Sequence, residues 1–467
     1  MLGLIFVSWA YFFITIYRIC RDIIRYKVHL HYKKRVGMGL GIIKKQLKET
    51  WNILKGFKGN AKGCLVVEPL WGIPYNLFIP YASVYMVELG CTDEHIGIIT
   101  SVGLFFQMFF SFISGYITDR LGRKRTTLIF DCIGWSLAVL IWAFARNFYY
   151  FLAASIVNSF FRIVHTSWTC LLVEDTSPEE RVHVYTWIQV AGLLAGFFAP
   201  IAGWLVKRYG VVPAMRGLYL FAFVSMTSMF LIRNRITHET KIGLIKMQTT
   251  KGFNIMEILN EYRRICIQLL KSPHTMLAFA LMLFNNVQIT LRNTFSAILY
   301  TKGLGLSEEN IGMFAAITSA IMLFIYLFVM PTLGKLKVTR PLFWGFVLSI
   351  ISNCIFVLSP PRKLYLSVLA IVIGATGMAL IYPFVESLVA NSINDEDRAK
   401  VMSILYVLVL GLTTPFGYIG GLLSSVSPKL PFVLIMVTFG ISLMLLLILE
   451  NIKEHKRPDA VNAELGL

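Results

Sequence analysis

Long apolar stretches recur from one end of the chain to the other, separated by short polar turns. Each is about 20 residues long, which is the length an α-helix needs to cross the hydrocarbon core of a bilayer. The pattern therefore predicts an all-α, polytopic membrane protein with about twelve membrane helices. They are predicted near residues 65–89, 95–117, 126–145, 148–173, 183–206, 212–232, 274–300, 308–333, 341–359, 364–390, 399–424 and 430–450.

One long polar, basic stretch interrupts this series of apolar segments and leaves six predicted helices on either side. The chain is therefore divided as follows: 1–64, a basic, membrane-associated N-terminal segment; 65–233, a six-helix bundle; 234–273, a central loop; 274–450, a second six-helix bundle; and 451–467, a tail. The first 17 residues are almost wholly apolar, and arginines follow them, which is the reverse of a secretory signal. Two interpretations stay open for them: an extra membrane-spanning helix or a helix lying at the interface.

A short internal repeat supports the division into halves. The residues Leu89–Gly97 are matched by Leu304–Gly312, in the equivalent place before the second helix of each half. In both copies a glycine turn leads to a Thr or Ser with acids just behind it, which is typical of a helix start. The repeat predicts two halves with the same internal order of helices.

Composition and charge decide the environment and the orientation. The chain is 56% hydrophobic, has a mean hydropathy of +0.67 and carries only 15% charged residues, which excludes an ordinary soluble protein. Most of the 44 Lys and Arg residues fall on the side that holds the central loop and the tail. The positive-inside rule makes that side cytoplasmic, and it accounts for the net charge of +19 without a nucleic-acid partner. The seven cysteines are scattered, so they indicate neither a disulfide framework nor a metal site.

The turn between predicted helices two and three has a distinctive sequence. The stretch Gly115–Arg125 reads G-Y-I-T-D-R-L-G-R-K-R. It resembles the signature loop of the major facilitator superfamily (MFS) of transporters. The defined positions of that loop are filled here by Gly115, Asp119, Arg120, Gly122, Arg123 and Lys124. Positive-inside topology alone accounts for the cations, but not for the two glycines and the acid at their spacing.

The resemblance carries expectations about fold and mechanism. It implies the MFS fold, in which two pseudo-symmetric six-helix bundles rock about a central site. It also implies that the signature loop joins the two halves at a cytoplasmic gate. Asp131, further along helix three, is the expected partner of the loop arginines. No cofactor, no metal and no enzymatic activity are implied.

Two further motifs leave alternatives open. Glu174 and Arg181 have a spacing similar to that of a cytoplasmic charge pair in sugar-porter members of the superfamily, with Arg398 in the second-half counterpart. The competing interpretation is a solvated, capped turn. The stretch Ala195–Gly203 resembles the small-residue and proline motif of proton-coupled exporters, although small residues also permit close helix packing in any transporter.

Charged residues deep in the membrane are the strongest candidates for a functional site, because each costs at least ~2.5 kcal/mol to insert. Arg162 lies mid-way along predicted helix four and Arg292 past the middle of helix seven. The resemblance places helices one, four, seven and ten around a central cavity. Polar residues at helical spacing share a face with each arginine and complete the predicted cavity lining: Asn158 and His165 with Arg162, and Asn285 and Gln288 with Arg292.

The arginines allow two roles. Together they can bind an anionic group from opposite halves, or each can pair with a membrane acid and hold the bundle together. Glu68 on helix one and Glu386 on helix ten are the candidate proton-coupling acids, since burial and a nearby arginine act in opposite directions on a carboxyl group. His165 is either a proton relay or a structural residue.

These observations predict a secondary transporter of a small organic solute, working as a monomer in the plasma membrane. Coupling to protons is expected, with efflux favoured over uptake. The alternatives are uptake or exchange of an organic anion or a sugar. An enzyme embedded in the membrane is disfavoured because no catalytic motif is present. A transporter-like sensor remains a further alternative, and it would tolerate loss of Arg162, Arg292 and Glu386.

Overall fold

The computed structural model describes residues 59–250, 256, 259–260, 262–265, 267, 272–333, 337–393 and 398–465. Within these ranges the chain is helical and contains no strand. The predicted N-terminal segment lies outside them, apart from residues 59–64. Eleven helices in the described ranges are long and apolar enough to cross a membrane, and a twelfth, the first, is broken into shorter pieces.

The first six helices form the N half. Their bounds are α1, in the segments Gly59–Val67, Pro69–Phe78, Ile79–Tyr81 and Ala82–Glu88; α2, Asp93–Leu121; α3, Arg123–Ala143; α4, in the segments Phe148–Asn158 and Phe161–Val173; α5, in the segments Pro178–Ala195, Gly196–Phe198 and Ala199–Tyr209; and α6, Val211–Ile236. A linker helix, Lys241–Thr249, follows α6. We call the end of the bundle that holds the linker the linker face, and the opposite end the far face.

The last six helices form the C half. Their bounds are α7, Pro273–Gly303; α8, Glu309–Val329 with the short continuation Met330–Leu333; α9, Thr339–Leu358; α10, Leu364–Ala390; α11, Arg398–Val426; and α12, Leu430–Leu465. The predicted all-α, polytopic fold with about twelve membrane helices is confirmed. The final helix runs on to Leu465, so the predicted tail is largely helical.

Prolines interrupt α1. The helix is interrupted at Glu68, directly before Pro69, and tightens into a 3₁₀ turn that contains Pro80. Proline lacks the amide hydrogen that the helix would use and clashes with the preceding turn. Pro74 lies within the second α1 segment.

The internal repeat marks two helix starts that differ in detail. Before α2, the Thr92 hydroxyl accepts a hydrogen bond from the His95 amide at 3.1 Å, so the predicted cap is confirmed. Before α8, the predicted cap is wrong, because Ser307 accepts its 2.8 Å hydrogen bond from the Asn310 side chain and the helix begins two residues later. The glycine turns are alike, with positive φ at Gly90 and Gly305.

Small residues bring the two halves together at the far face. Helix α2 lies against α11 where Gly97 meets Gly421, and α5 lies against α8 where Gly203 and Gly312 meet the opposite backbone. A Cβ atom at Gly97 would come within 2.8 Å of Gly421, so only glycine permits this approach. The small residues of the Ala195–Gly203 stretch thus serve close packing against α8, the simpler of the two interpretations given to them.

Candidate functional site

Arg162 lies just past a break in α4. The helix is interrupted at residues 159–160, and the Ser159 hydroxyl there donates to the Gly103 carbonyl at 3.0 Å. The Arg162 Nε donates to Gln107 Oε1 at 3.1 Å, and the guanidinium lies 4.9 Å from the centre of the Phe161 ring. Its two Nη groups make no hydrogen bond within the described ranges. Arg162 is therefore positioned by its neighbours, yet its terminal donors stay unused.

Across the interface between the halves, Arg162 faces a cluster from α10 and α11. It lies within electrostatic range of the phenol groups of Tyr382 and Tyr406. The Tyr406 hydroxyl donates to Glu386 Oε2 at 2.7 Å. About two fifths of each tyrosine is exposed, 43% of Tyr382 and 38% of Tyr406, so the protein does not enclose the two phenol groups. We call these four residues the central cluster.

Sequence patterns did not indicate Tyr382 and Tyr406 of the central cluster, nor Gln107, which accepts the hydrogen bond of Arg162. Tyr382 lies four residues before Glu386 and therefore on the same helix face, which is a signal that could have identified it. Gln107 and Tyr406 lie on α2 and α11, helices that the resemblance does not assign to the cavity. Only the packing of α2 against α4 and α11, and the hydrogen bond from Tyr406 to Glu386 of α10, reveal them.

On α7, polar groups are buried without partners. Gln288 is only 2% exposed, and neither its amide nitrogen nor its oxygen makes a hydrogen bond within the described ranges. One Nη of Arg292, a turn further along, is equally unpartnered. Arg292 lies near Gly374 of α10 and within electrostatic range of Tyr300. Unsatisfied donors of this kind cost free energy unless a ligand or water meets them.

The other predicted cavity residues have different environments. The Asn158 amide donates to the Gly134 carbonyl of α3 at 2.8 Å, so it ties α3 to α4 inside the N half. Asn285 is half-buried on α7, and His165 is exposed on α4, one turn from Arg162. The Arg162 and Arg292 side chains do not contact each other. Binding of one anion by both arginines stays a prediction.

Asp131 does not pair with the signature loop. It forms a buried ion pair with Arg233 of α6 instead, and the expected pairing with the loop arginines is wrong. Because Asp131 lies two turns into α3, its side chain faces α6 rather than the loop. Glu68 of α1 lies within electrostatic range of both partners.

The signature loop is closed by bonds within the N half. The Arg123 guanidinium contacts Asp119 at 2.9 Å and Glu174 at 2.9 Å. Gly122 between α2 and α3 has a φ of 85°, which a residue with a side chain rarely adopts. Gly115 has open space around it, so a residue with a side chain would also fit at position 115 in the structure described here.

Several predicted loop residues have partners other than those expected. Glu174 pairs with Arg123 rather than with Arg181, whose Nε is buried without a hydrogen bond in the described ranges. Ser177 and Glu180 cap α5, as the competing interpretation of that turn required. Arg120 donates to the Tyr116 hydroxyl at 2.5 Å. The side chain of Arg398 lies outside the described residues.

The residues between α6 and the linker helix, which belong to the same linker, bind the signature loop. Glu239 accepts hydrogen bonds from the backbone amides of Arg123 at 2.9 Å and Lys124 at 3.0 Å, so it caps the N-terminus of α3. The Thr240 hydroxyl donates to Glu174. At the start of α1, the Asn60 side chain exchanges two 2.9 Å hydrogen bonds with the backbone of His238. In this conformation the loop charges are therefore bonded to the linker and the N half.

Replacing Glu239 with Gln is expected to expose the start of α3. The neutral amide weakens two charge-assisted hydrogen bonds, so the Arg123 and Lys124 amides should exchange with deuterium about 10-fold faster. Mass spectrometry of a peptide covering residues 122–125 measures this. The matched control is Glu180→Gln, which alters an exposed cap on α5 and should leave the peptide unchanged. Equal exchange in the wild type and Glu239→Gln would contradict the capping role.

Charged bonds between the halves cluster at the far face. Asp93, only 6% exposed, binds Lys302 at 2.7 Å and the Ser424 hydroxyl at 2.6 Å. Lys207 of α5 pairs with Glu309 of α8 at 2.6 Å. Burial, together with the nearby Glu88 carboxylate, raises the pKa of Glu308 beside this contact. Asp93 and Glu309, two of the acids that the sequence places at helix starts, thus also join the two halves.

A cavity of about 630 Å³ opens between α1, α5 and α6, but its lining is apolar and it lies apart from the central cluster. Within the described ranges, no group of His, Cys, Asp and Glu residues has the arrangement of a metal site.

Comparison with known proteins identifies the family that this architecture represents. The sequence profile of the Major Facilitator Superfamily matches residues 71–403, and again residues 277–465. MdtG of Serratia proteamaculans (strain 568), named a multidrug resistance protein, is 23% identical over 353 residues, which cover 72% of this chain and 79% of MdtG. YqjV of Bacillus subtilis (strain 168), named an uncharacterized MFS-type transporter, is 25% identical over 130 residues, covering 27% of this chain and 32% of YqjV.

Solved structures agree on the fold. The nucleoside transporter NupG superposes with a TM-score of 0.63 at 14% identity, covering 84% of this chain and 99% of NupG. The human organic anion transporter MFSD10 superposes with a TM-score of 0.55 at 17% identity, covering 83% and 98%. At these identities the likeness is one of fold, and the substrates of those proteins do not carry over.

Proposed function

The chain belongs to the Major Facilitator Superfamily and is a multi-pass membrane transporter, and from that premise we propose that it moves a small organic solute by proton-coupled alternating access. The central cluster is the solute site, and Glu386 is the acid that couples transport to protons. Efflux is the favoured direction. The protein works as a monomer in the plasma membrane, with the linker face in the cytoplasm.

The central cluster is the observation that carries this proposal. It brings together a guanidinium with unused donors, two partly exposed phenols and a carboxyl group, contributed by both halves. A charged residue so far from the membrane surface is costly, and one without a counter-charge marks a candidate substrate or ion pathway. Because the four residues come from opposite halves, rocking of the halves changes the distances among them.

The contacts at the far face support a state that opens toward the linker face. There the halves are bonded through Asp93, Lys302 and Ser424. The signature loop, by contrast, is bonded to the linker and its own half. In the opposite state we expect the far-face bonds to break and the loop to contact the C half.

Efflux and proton coupling have separate supports. The relative MdtG is named a multidrug resistance protein, which favours export of an organic compound. The alternative, transport of an organic anion, rests on Arg162 and Arg292, which carry unused donors on opposite halves. Proton coupling rests on Glu386, a carboxyl group held by a phenol inside the central cluster.

Flux measurements on the purified protein in proteoliposomes test the proposal. A panel of organic cations, neutral drugs, anions and sugars is first screened by thermal shift. The transport of each compound that stabilises the protein is then measured in proteoliposomes whose lumen is more acidic than the bath. Antiport fills the lumen with solute, whereas symport empties it. No solute-linked proton movement with any stabilising compound would refute the coupling.

Asp93→Asn is expected to loosen the far face. The substitution keeps a partner for Ser424 but removes the charge that holds Lys302, which should shift the equilibrium toward a far-open state about 5-fold. Spin labels at Tyr149 and Tyr365, two exposed far-face positions on opposite halves, report the change as a longer distance population. Glu309→Gln is the matched control at a more exposed pair and should have a smaller effect. An unchanged distance distribution in Asp93→Asn would exclude Asp93 as a gate residue.

A further inference from the structure

The apolar cavity between α1, α5 and α6 is a groove on the surface of the N half. Leu77 of α1, with Ala214 and Leu218 of α6, is buried beneath it, whereas Phe198 of α5 and Phe221 of α6 are exposed along it. All five residues belong to membrane helices. An exposed apolar surface at this depth is solvated by lipid tails, so the groove opens toward the bilayer.

The groove has the length of one lipid tail. Its lining on α5 extends from Phe198 to Tyr209, which is about 16 Å of helix. Tyr209 is the last residue of α5 and lies at the far face. Half of the hydrocarbon core of a bilayer is about 15 Å thick. The groove therefore runs from the far-face interface to the middle of the membrane, as an acyl chain of that leaflet does.

A glycine on α6 keeps the groove open. Gly217 lines it and is exposed, and a Cβ atom at this position would meet no other atom within 4 Å. A larger side chain here would therefore fill the groove without a clash. The volume of about 630 Å³ is within the range of roughly 300 to 1,000 Å³ that is typical of small-molecule sites.

A cation without a counter-charge lies at the far-face end of the groove. The exposed Arg208 guanidinium lies 5.5 Å from the centres of both the Trp204 and the Tyr209 rings, and Tyr209 lines the groove. Arg208 makes no ion pair or hydrogen bond within the described ranges, whereas the adjacent Lys207 is paired with Glu309. Trp and Tyr at a helix end are typical of the membrane interface, where lipid phosphate groups lie. Arg208 is therefore available to a lipid headgroup.

We propose that this groove binds one anionic phospholipid of the far-face leaflet, with an acyl chain between α5 and α6 and the phosphate on Arg208. The tail matches the apolar lining in length and chemistry. The headgroup supplies the negative charge that Arg208 lacks, and a guanidinium can bind a phosphate through two hydrogen bonds. The site shares no residue with the central cluster, so it does not depend on the proposed function.

Native mass spectrometry of the purified full-length protein tests the groove. Phosphatidylglycerol or phosphatidylcholine with identical acyl chains is titrated into lipid-depleted protein, and the wild type should retain one lipid per chain. Gly217→Leu fills the groove and should weaken binding of both lipids about 10-fold. Gly440→Leu is the matched control, since a Cβ atom at Gly440 of α12 also meets no atom within 4 Å, and it should bind as the wild type does. Equal binding by Gly217→Leu and the wild type would overturn the site.

A second pair of variants tests the headgroup contact. The choline of phosphatidylcholine offsets its phosphate charge, so the wild type should prefer phosphatidylglycerol about 5-fold, and Arg208→Gln should abolish this preference. Arg146→Gln removes another exposed far-face cation, on the turn between α3 and α4, and should keep it. A preference that survives in Arg208→Gln would overturn the role given to Arg208. A wild-type dimer that is lost in Gly217→Leu would show that a second copy of the chain fills the groove, and would overturn the lipid site.

Discussion

Arg162→Gln is expected to lower solute transport about 100-fold, because the loss of a charged donor that binds a desolvated group costs about 2 to 3 kcal/mol. Glutamine is shorter and neutral but can still bind Gln107, so the local packing of α2 against α4 is preserved. The Nη groups are unused in the described structure, so their role is to bind what enters the site. Initial rates of uptake into proteoliposomes measure the effect.

Two further variants serve as a control and as a test of the substrate class. Arg235→Gln removes an exposed cation near the linker face and should leave transport unchanged. Arg292→Gln separates the two substrate classes: if both arginines bind an anion, it should abolish stabilisation by anions as Arg162→Gln does. If Arg162→Gln transports as the wild type does, the central cluster is not the solute site, and a sensor or scaffold role is favoured.

Glu386→Gln is expected to uncouple transport from protons while leaving the solute site intact. In the wild type, each unit of pH difference should drive about 10-fold solute accumulation per proton exchanged. In the variant, the amide oxygen still accepts the Tyr406 hydrogen bond, but the group no longer titrates, so accumulation should fall to equality between lumen and bath. Exchange of labelled for unlabelled solute, which needs no net proton movement, should continue.

The hydrogen bond itself is tested by Tyr406→Phe. This variant keeps the carboxyl group and removes its 2.7 Å donor, so coupling should persist with an altered pH profile. The contrast distinguishes a titrating role of Glu386 from a purely structural one. Proton-driven accumulation that survives in Glu386→Gln would move the coupling acid to another residue.

The architecture was largely predictable because the membrane imposes a simple rule on the sequence. Backbone groups in hydrocarbon must be bonded internally, so each apolar stretch becomes a helix, and its length is fixed by the bilayer. The interruption of α1 also followed from the sequence, since Pro69 and Pro80 remove backbone donors. The cap of α2 followed from Thr92, whereas at α8 the Asn310 side chain took the hydroxyl that the pattern assigned to capping.

The candidate site was only partly predictable. Arg162 and Glu386 were identified because a charge inside an apolar stretch is conspicuous in any sequence. Tyr406 and Gln107 carry no such signal, and they reach the central cluster only because α2 and α11 pack together through glycines. Asp131 was assigned the wrong partner because sequence distance favours the nearby loop, whereas its position two turns into α3 directs it to Arg233.

The sequence by itself determined the membrane setting, the number and order of the helices, the repeat of the two halves and the deep charges that mark a functional site. These follow from local properties: hydropathy, proline chemistry and the cost of an inserted charge. Only the tertiary structure decided which charges face each other, that the linker's Glu239 caps the signature loop, and that Asp131 pairs with Arg233 of α6. Such pairings depend on the rotation and crossing of helices far apart in the chain, which side-chain packing fixes and local sequence does not encode.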